Sequence, residues 1–174
     1  EGHAAFSSLE RARLAMHDHG LSFAEARVAT GGGNLFTTHT PVPAGFDRFP
    51  PELMREYFSD YVGELGITVD RLLRMGRENR DDAAEPFNMA AMALKNSTFT
   101  NSVSALHREV TAKMIAPGYR GIPLEELPVD HVTNGVHLRS WMSHDLTELL
   151  DRYLGSAWKE DTADREVWKG VDRI

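Results

Sequence analysis

The amino-acid sequence predicts a helix-rich α/β fold with a few short parallel strands. Three short segments rich in β-branched or aromatic residues are strand candidates, at residues 34–38, 99–103 and 128–133. Longer segments with helical periodicity separate them, which is typical of βαβ units that build a parallel sheet. Such sheets bind ligands beyond the carboxyl ends of their strands, so we expect a site in the sequence that directly follows each strand.

Two helices are predicted before the first strand. The first is an amphipathic segment that Gly20 is placed to end. Ser22 and Glu25 have the spacing of a capping box, and the helix that they begin ends in the three glycines of residues 31–33. These glycines match neither the P-loop nor the G-x-G-x-x-G phosphate signature, so we interpret them as a helix terminator.

The sequence between the first and second strands is predicted to be mostly helical. Pro51 opens a helix whose apolar stripe extends over residues 54–65, and Thr68 can cap a short helix after it. Residues 77–85 are interpreted as a charged surface connector, and residues 88–95 as another helix.

The remaining helices follow the second and third strands. Ser104 can cap a helix that has Leu106, Val110 and Met114 on its buried side. From Ser143 onward the sequence is predicted to be helical again. Helix is therefore expected to dominate over strand.

Composition and charge disfavour several classes of protein. There are 19 lysines and arginines against 26 aspartates and glutamates, a formal net charge of −7, which disfavours nucleic acids and anionic membrane surfaces as partners. The absence of cysteine excludes disulfide scaffolds, thiolate zinc sites and cysteine nucleophiles. No apolar run approaches the roughly 18 to 20 residues of a membrane helix. We therefore expect a soluble, cytoplasmic protein, and the missing initiator methionine suggests an internal piece of a longer one.

The most specific local feature surrounds His39. Thr38, His39 and Thr40 follow the first predicted strand and precede a loop that prolines stiffen. Such a loop can hold an imidazole in one orientation for binding, but the hydroxyl groups can equally satisfy the backbone of a turn. Asn134 and Gly135 leave the same alternatives open, because this dipeptide is common in tight turns.

Other chemistries have weaker support. The pairs His17 with His19 and His137 with His144 could offer metal ligands, but neither has the spacing of a strong zinc motif. A histidine-dependent metal protein is therefore a lesser hypothesis. No nucleophile elbow supports a serine hydrolase. Each lysine lies on a predicted helix among polar neighbours, and none is flanked by residues that would desolvate it for Schiff-base chemistry.

Five sequence motifs occur in order along the chain. They are EGH at residues 1–3, FTTHTPVPAGFDRFP at 36–50, FNM at 87–89, VSALH at 103–107 and HVTNGVHLRSW at 131–141. Together they resemble the α-glucan phosphorylases, in particular the bacterial glycogen and starch phosphorylases. Each motif alone is weak, but their order and intervals make the resemblance specific, and it extends over essentially the whole chain.

The resemblance implies a partial Rossmann-like domain of a GT-B type glycosyltransferase, in which two such domains enclose the active site. Residues 1–140 would be the C-terminal portion of the first, sugar-site domain, and residues 141–174 a helical lead-in to the second. The parent protein would cleave α-1,4-glucan with inorganic phosphate to give glucose 1-phosphate, and assembly into a homo-oligomer is compatible with the resemblance. Pyridoxal 5′-phosphate would be held by a lysine beyond Ile174, so this chain alone would be inactive.

The resemblance also implies roles for individual residues. His39 would bind the 6-hydroxyl of the glucosyl residue and face the anomeric carbon with its carbonyl, and Asn134 would share the 6-hydroxyl. Trp141 would lie near the cofactor. Three further residues would border the sugar pocket, namely Glu1, His3 and Thr40. A neutral sugar is held by directional hydrogen bonds rather than by charge, and these residue types provide them.

One departure and one alternative accompany the resemblance. The family usually has Asn-Gly-Val where this chain has Asn101, Ser102 and Val103, so a requirement for positive φ at the glycine would put the local turn in question. The alternative function is a noncatalytic carbohydrate-binding or interaction module that keeps this sequence without a cofactor domain.

Overall fold

The computed structural model describes residues 2–40, 42–119 and 121–173, apart from the side chains of residues 43 and 173. The chain divides into two compact units, one that ends at Thr133 and one that begins at Asn134. None of the helices in these described ranges is long and apolar enough to span a membrane.

The first unit contains most of the regular structure. Its α-helices are α1 (Ser7–His19), α2 (Phe23–Gly31), α3 (Pro51–Phe58), α4 (Tyr61–Glu64), α5 (Val69–Met75), α6 (Met89–Asn96) and α7 (Ala105–Ile115). Its strands are β1 (Leu35–Thr38), β2 (Arg48–Phe49), β3 (Phe87–Asn88), β4 (Phe99–Ser102) and β5 (Asp130–His131). Short 3-10 turns lie at His3–Phe6, Pro43–Gly45, Ala116–Gly118 and Leu124–Glu126.

A three-stranded parallel sheet, in the order β1-β4-β5, confirms the predicted helix-rich α/β fold with short parallel strands. Its register pairs Thr38 with Ser102 and Ser102 with His131. The carboxyl ends of the three strands therefore lie side by side. Thr37 Oγ1 donates a hydrogen bond to Asn101 Oδ1 at 2.8 Å, which links β1 to β4 through side chains as well as backbone.

A second sheet, which the sequence pattern does not predict, pairs β2 with β3 antiparallel and places Arg48 opposite Asn88. Two residues per strand are too few to show an alternating pattern. Backbone bonds hold the pair in place: Asn88 N–H donates to the Gly76 carbonyl at 2.8 Å, and Met89 N–H donates to the Asp47 carbonyl at 3.0 Å.

The main hydrophobic core of the first unit joins helices α1 to α6. Its largest fully buried side chains are Leu9, Leu65, Leu72, Leu73, Phe87, Met89 and Met92. The rings of Phe6 and Phe58 add an aromatic contact at its border, with centroids 4.8 Å apart. A smaller buried cluster lies at α7 and before β5, and it consists of Ala112, Ile115, Leu127 and Val129.

The predicted helix boundaries are largely confirmed. Gly20 follows α1 in the left-handed conformation, with φ of 65°. Ser22 forms a complete capping box at the start of α2. The side chains of Thr68, Ser104 and Ser143 each accept a hydrogen bond from a backbone N–H in the first turn of the helix that follows.

The single helix predicted over residues 51–65 is interrupted, so that prediction is wrong. The break between α3 and α4 begins at Ser59, whose hydroxyl donates to the carbonyl of Arg55. A hydroxyl bonded to the carbonyl four residues earlier commonly bends a helix. Tyr57, which belongs to the predicted apolar stripe, is 70% exposed.

The buried side of α7 also differs from the predicted one. Leu106 is 72% exposed and Val110 is 38% exposed, whereas Thr111 and Ala112 are buried. The reason is a buried hydrogen bond, which Ser102 Oγ donates to Thr111 Oγ1 at 3.1 Å. An apolar periodicity cannot reveal a buried hydroxyl pair of this kind.

The connector over residues 77–85 is mostly exposed, as predicted, but its first residue is buried. Arg77 is 4% exposed and donates through Nη2 to the carbonyl of Ala83 at 3.0 Å. The Glu85 carboxylate accepts two backbone N–H groups of the same loop, at 2.7 and 2.8 Å. Hydrogen bonds within the connector therefore hold it in a compact rather than an extended conformation.

The second unit is helical, as the sequence predicts. It contains α8 (Leu138–Trp141), α9 (His144–Leu154), α10 (Ala157–Glu160), α11 (Arg165–Trp168) and a 3-10 turn at Lys169–Arg173. Trp158 is fully buried, and its Nε1 donates to Asp151 Oδ1 at 3.1 Å. Lys159 also pairs with Asp151, at 2.5 Å, and lowers the pKa of that carboxyl. The assignment of residues 1–140 and 141–174 to two domains of a parent protein stays a prediction.

We expect Gly76→Ala to destabilise the first unit. An added Cβ would lie 2.4 Å from a ring carbon of Phe87, which is fully buried, so the ring or the end of α5 would have to shift. Overpacking of this kind typically lowers the free energy of unfolding by about 1–3 kcal/mol. Urea unfolding followed by circular dichroism measures the effect. Gly63→Ala in α4 is the matched control, because no other atom of the described chain comes within 4 Å of its added Cβ. Equal stability of the two variants would contradict the prediction.

Candidate functional site

The candidate site lies at the carboxyl edge of the parallel sheet. β1, β4 and β5 end at Thr38, Ser102 and His131, which are in register with one another. Val132 N–H donates to the Ser102 carbonyl at 2.9 Å, so the pairing continues one residue past β5. The segments that follow these three strands therefore start next to one another, at the edge where parallel sheets bind ligands.

His39 directly follows β1 and has an exposed side chain. It lines a cleft of about 470 Å³ together with β1 and the start of α1. The two walls of this cleft are tied together by Arg11, which donates to the Gly33 carbonyl at 2.7 Å and to the side chain of Asn34. The cleft is therefore braced where the chain enters β1.

The backbone on both sides of His39 is restrained. Thr38 is buried, and its Oγ1 donates to the carbonyl of Thr40 at 3.4 Å. The side chain of Thr40 packs so closely on Gly45 that a Cβ there would lie 2.5 Å from Thr40 Cγ2. Gly45 N–H in turn donates to the Val42 carbonyl at 3.0 Å. Thr40, a predicted sugar-pocket residue, thus shapes the loop as well.

The other two predicted sugar-pocket residues belong to the EGH motif. Glu1 lies outside the described residues. His3 begins a 3-10 turn and has an exposed side chain. Gly2 lies directly against Asp47, since an added Cβ would be 1.5 Å from Asp47 Oδ2. Gly2 and His39 line the same cleft within the first unit, whereas His3 and Thr40 are not among the described residues that line it.

Asn134 and Trp141 belong to the second unit. Both side chains are exposed, and Trp141, the last residue of α8, is 82% exposed. Near them, His137 Nδ1 lies 2.7 Å from Ser140 Oγ. The contacts expected of Asn134 and Trp141 with sugar and cofactor, and the pairing of Asn134 with His39, stay predictions.

Serine in place of glycine at position 102 causes no backbone strain. Across the described residues, positive φ occurs at glycines alone. Ser102 is a buried strand residue whose hydroxyl bonds to Thr111, so a left-handed conformation is not required here.

His107 is a buried histidine just after β4 that the sequence analysis names only as part of a motif. It is 8% exposed, and its Nδ1 accepts a hydrogen bond from Val103 N–H at 3.4 Å. Nε2 is buried and has no hydrogen-bond partner among the described residues. Its contact with Val103 lies within the VSALH motif and links α7 to the turn that follows β4.

Lys95 is partly desolvated, although no residue that flanks it in the sequence indicates this. Burial, together with repulsion from Arg80, lowers the pKa of Lys95 to about 8. Its Nζ donates to the carbonyl of Arg74 at 3.3 Å and to the carbonyl of Arg77. The sequence neighbours of Lys95 do not reveal this, because the burying groups come from α5 and the loop after it.

Metal binding finds no geometric support in the part of the chain that the structure describes. No group of three or more histidine, aspartate or glutamate side chains there could hold an ion. His144, one of the candidate ligands, instead pairs with Glu148 one helical turn later, at 3.2 Å.

Comparison with known proteins identifies relatives over the whole chain. A family model described as carbohydrate phosphorylase matches residues 1–168. The maltodextrin phosphorylase of Thermococcus litoralis is 38% identical over 174 residues, which are all of this chain and 20% of that protein. The glycogen phosphorylase of Mycobacterium tuberculosis is 37% identical over 180 residues, again covering all of this chain and 20% of the relative. That of Aquifex aeolicus is 34% identical over 89% of this chain and 22% of its own length. The chain thus spans about one fifth of the length of these relatives.

We expect Gly45→Ala to displace the loop that carries His39. The added Cβ would collide with Thr40, whose carbonyl is bonded to Thr38, so the displacement would pass through the backbone of His39. The change should appear as a shift of the His39 ring resonances in NMR spectra, with Gly63→Ala leaving them in place. Unmoved His39 resonances in Gly45→Ala would show that Thr40 does not restrain the loop.

Proposed function

This chain belongs to the carbohydrate phosphorylase family, and on that premise we propose that the protein containing it degrades α-glucan by phosphorolysis. The reaction would remove a terminal α-1,4-linked glucose with inorganic phosphate and release glucose 1-phosphate. The observation that carries the proposal is the family match over residues 1–168, which includes all five motifs in order.

In this proposal the carboxyl edge of the sheet orients the reacting sugar. The His39 imidazole would bond to the 6-hydroxyl of the terminal glucosyl residue, and the His39 carbonyl would face its anomeric carbon. Positive charge develops at that carbon when the glycosidic bond breaks, and a fixed carbonyl dipole stabilises it. The restraints from Thr38 and Thr40 support this role, because an oriented dipole acts only if its peptide plane is held in place.

The remaining predicted residues complete the sugar site. Asn134 would share the 6-hydroxyl with His39, its amide offering both a donor and an acceptor. Glu1, His3 and Thr40 would border the pocket. For the EGH motif, the support is that Gly2 lines the same cleft as His39. We further propose that the whole protein has the two-domain GT-B architecture, with residues 1–140 from its first domain.

The proposed reaction balances around inorganic phosphate. Its proton goes to the glycosidic oxygen as the bond from C1 to that oxygen breaks, and a phosphate oxygen then forms the new bond to C1. Pyridoxal 5′-phosphate, when bound, supplies a phosphate group that exchanges a proton with inorganic phosphate. Within this chain, the exposed indole of Trp141 offers a flat apolar face of the kind that fits beside a planar ring. The cofactor lysine and the basic residues for substrate phosphate are expected outside this chain.

We expect His39→Ala in the full-length protein to lower kcat for glucose 1-phosphate release by about tenfold, with a smaller change in KM for glucan. One hydrogen bond contributes roughly 0.5–1.5 kcal/mol, and a contact that strengthens in the transition state appears in kcat. His17→Ala is the control, because His17 is exposed on α1 and its ring contacts the neighbouring Asp18. An unchanged kcat/KM in His39→Ala would reject the assigned role.

We expect the 174-residue chain by itself to release no glucose 1-phosphate from maltodextrin and phosphate. The reason is that the cofactor lysine and the phosphate-binding residues are proposed to lie elsewhere in the protein. A coupled assay for glucose 1-phosphate measures this, with the full-length protein as positive control. Release of glucose 1-phosphate by the chain alone would refute the proposal that residues outside it are required for the reaction. Glucan binding without product release by the full-length protein would instead support the noncatalytic carbohydrate-binding module.

A further inference from the structure

The first unit contains a larger cavity, of about 790 Å³, that does not include His39 in its wall. It lies between β1, α5, α6 and α7. The residues that line it include the buried Thr38 and Thr111 and three aromatic residues, Phe36, Phe46 and Tyr119. This volume lies within the range of roughly 300–1,000 Å³ that is typical of small-molecule sites.

The cavity is strongly basic, although the whole chain has a net charge of −7. Six cationic side chains line it, namely Arg27, Arg48, Arg71, Arg74, Arg80 and Lys95. Two carboxylates, Glu78 and Asp81, line it as well. Clustered charge of one sign beside low-dielectric walls focuses the field and attracts ligands of the opposite sign.

One of the two carboxylates on the wall already has partners, and the cations outnumber the carboxylates six to two. Glu78 is occupied by Arg48, at 3.1 Å, and by Asn88, whose Nδ2 donates to it at 2.9 Å. Five of the six cationic residues form no salt bridge with any carboxylate of the described chain, and they are Arg27, Arg71, Arg74, Arg80 and Lys95.

The guanidinium group of Arg27 is hydrogen-bonded to neutral groups rather than to a carboxylate. Arg27 donates to Asn96 Oδ1 at 2.8 Å and to the Lys95 carbonyl at 3.0 Å. Burial and the positive charges of Arg71 and Arg80 lower the pKa of Arg27. These cations are therefore close enough to repel one another inside a partly desolvated space.

We propose that this cavity binds a small phosphate monoester, with the phosphate between Arg27, Arg80 and Lys95 and the organic group against the aromatic wall. Guanidinium groups match the geometry of phosphate oxygens, and such an ester has two negative charges near neutral pH. A bound dianion removes the repulsion among the cations. Inorganic phosphate alone would leave the aromatic residues of the wall without a contact, so an ester fits this cavity better.

Calorimetric titration of the full-length protein with phenyl phosphate at neutral pH tests the proposal. We expect Arg80→Gln and Arg27→Gln each to weaken binding by about tenfold, because each removes a charge-assisted hydrogen bond. Arg152→Gln removes the same charge from α9 in the second unit and should leave the affinity unchanged. Phenol should not bind, and inorganic phosphate should bind less tightly than phenyl phosphate at the site that these variants affect. Circular dichroism of each variant checks that it is folded.

The pH dependence gives a second readout. A bound dianion favours the ammonium form of Lys95, so binding takes up a proton, and affinity should fall as pH rises from 7 through the Lys95 pKa of about 8. The groups that act on this amine are Arg27, Arg80, Glu78 and Glu85, together with the carbonyls of Arg74 and Arg77. In Lys95→Gln the affinity should not change over this range.

Three results would overturn the proposal. One is that phenyl phosphate does not bind the folded full-length protein, as would happen if another part of the protein fills the cavity. Another is that phenyl phosphate binds both arginine variants as tightly as the unmodified protein, or no more tightly than inorganic phosphate does. The last is an affinity that does not fall with rising pH. Because the readout is binding, the result is independent of whether the protein catalyses phosphorolysis.

Discussion

The parallel pairing of β1 with β4 is the constraint on which the candidate site depends. It aligns the strands from Leu35 opposite Phe99 to Thr38 opposite Ser102. Because successive side chains of a strand point to opposite faces, a slip of one residue would turn the buried Thr38 and Ser102 outward. Correct register therefore sets which face of each strand is buried, and it also places His39 at the edge where the chain leaves the sheet.

Polar contacts maintain this register from inside the protein. Ser102 bonds to Thr111 of α7, and Thr37 bonds to Asn101 across the two strands. Hydrogen bonds in a low-dielectric interior are directional and costly to leave unmade, so they select one arrangement of helix on sheet more sharply than apolar packing does. The helix that follows β4 is held by hydroxyls on its sheet side, and this explains why its leucine and valine side chains remain exposed.

The distribution of charge shows why a net value says little about local sites. With a net charge of −7 the chain is a poor partner for extended polyanions. Yet its basic residues from α2, α5, α6 and the loop after α5 converge on one cavity. A small anion responds to the local cluster, whereas a polymer responds to the average over a surface.

Local sequence determined most of the helix ends, the three parallel strands and the position of His39 after β1, because caps, glycines and β-branched runs act over a few neighbouring residues. The order of motifs was also enough to indicate the family. Tertiary structure alone decided the two-residue pairing of β2 with β3, the buried face of α7 and the desolvation of Lys95. Each of these depends on atoms that are distant in the chain and become neighbours only after folding, so no window of sequence contains the interaction that produces it.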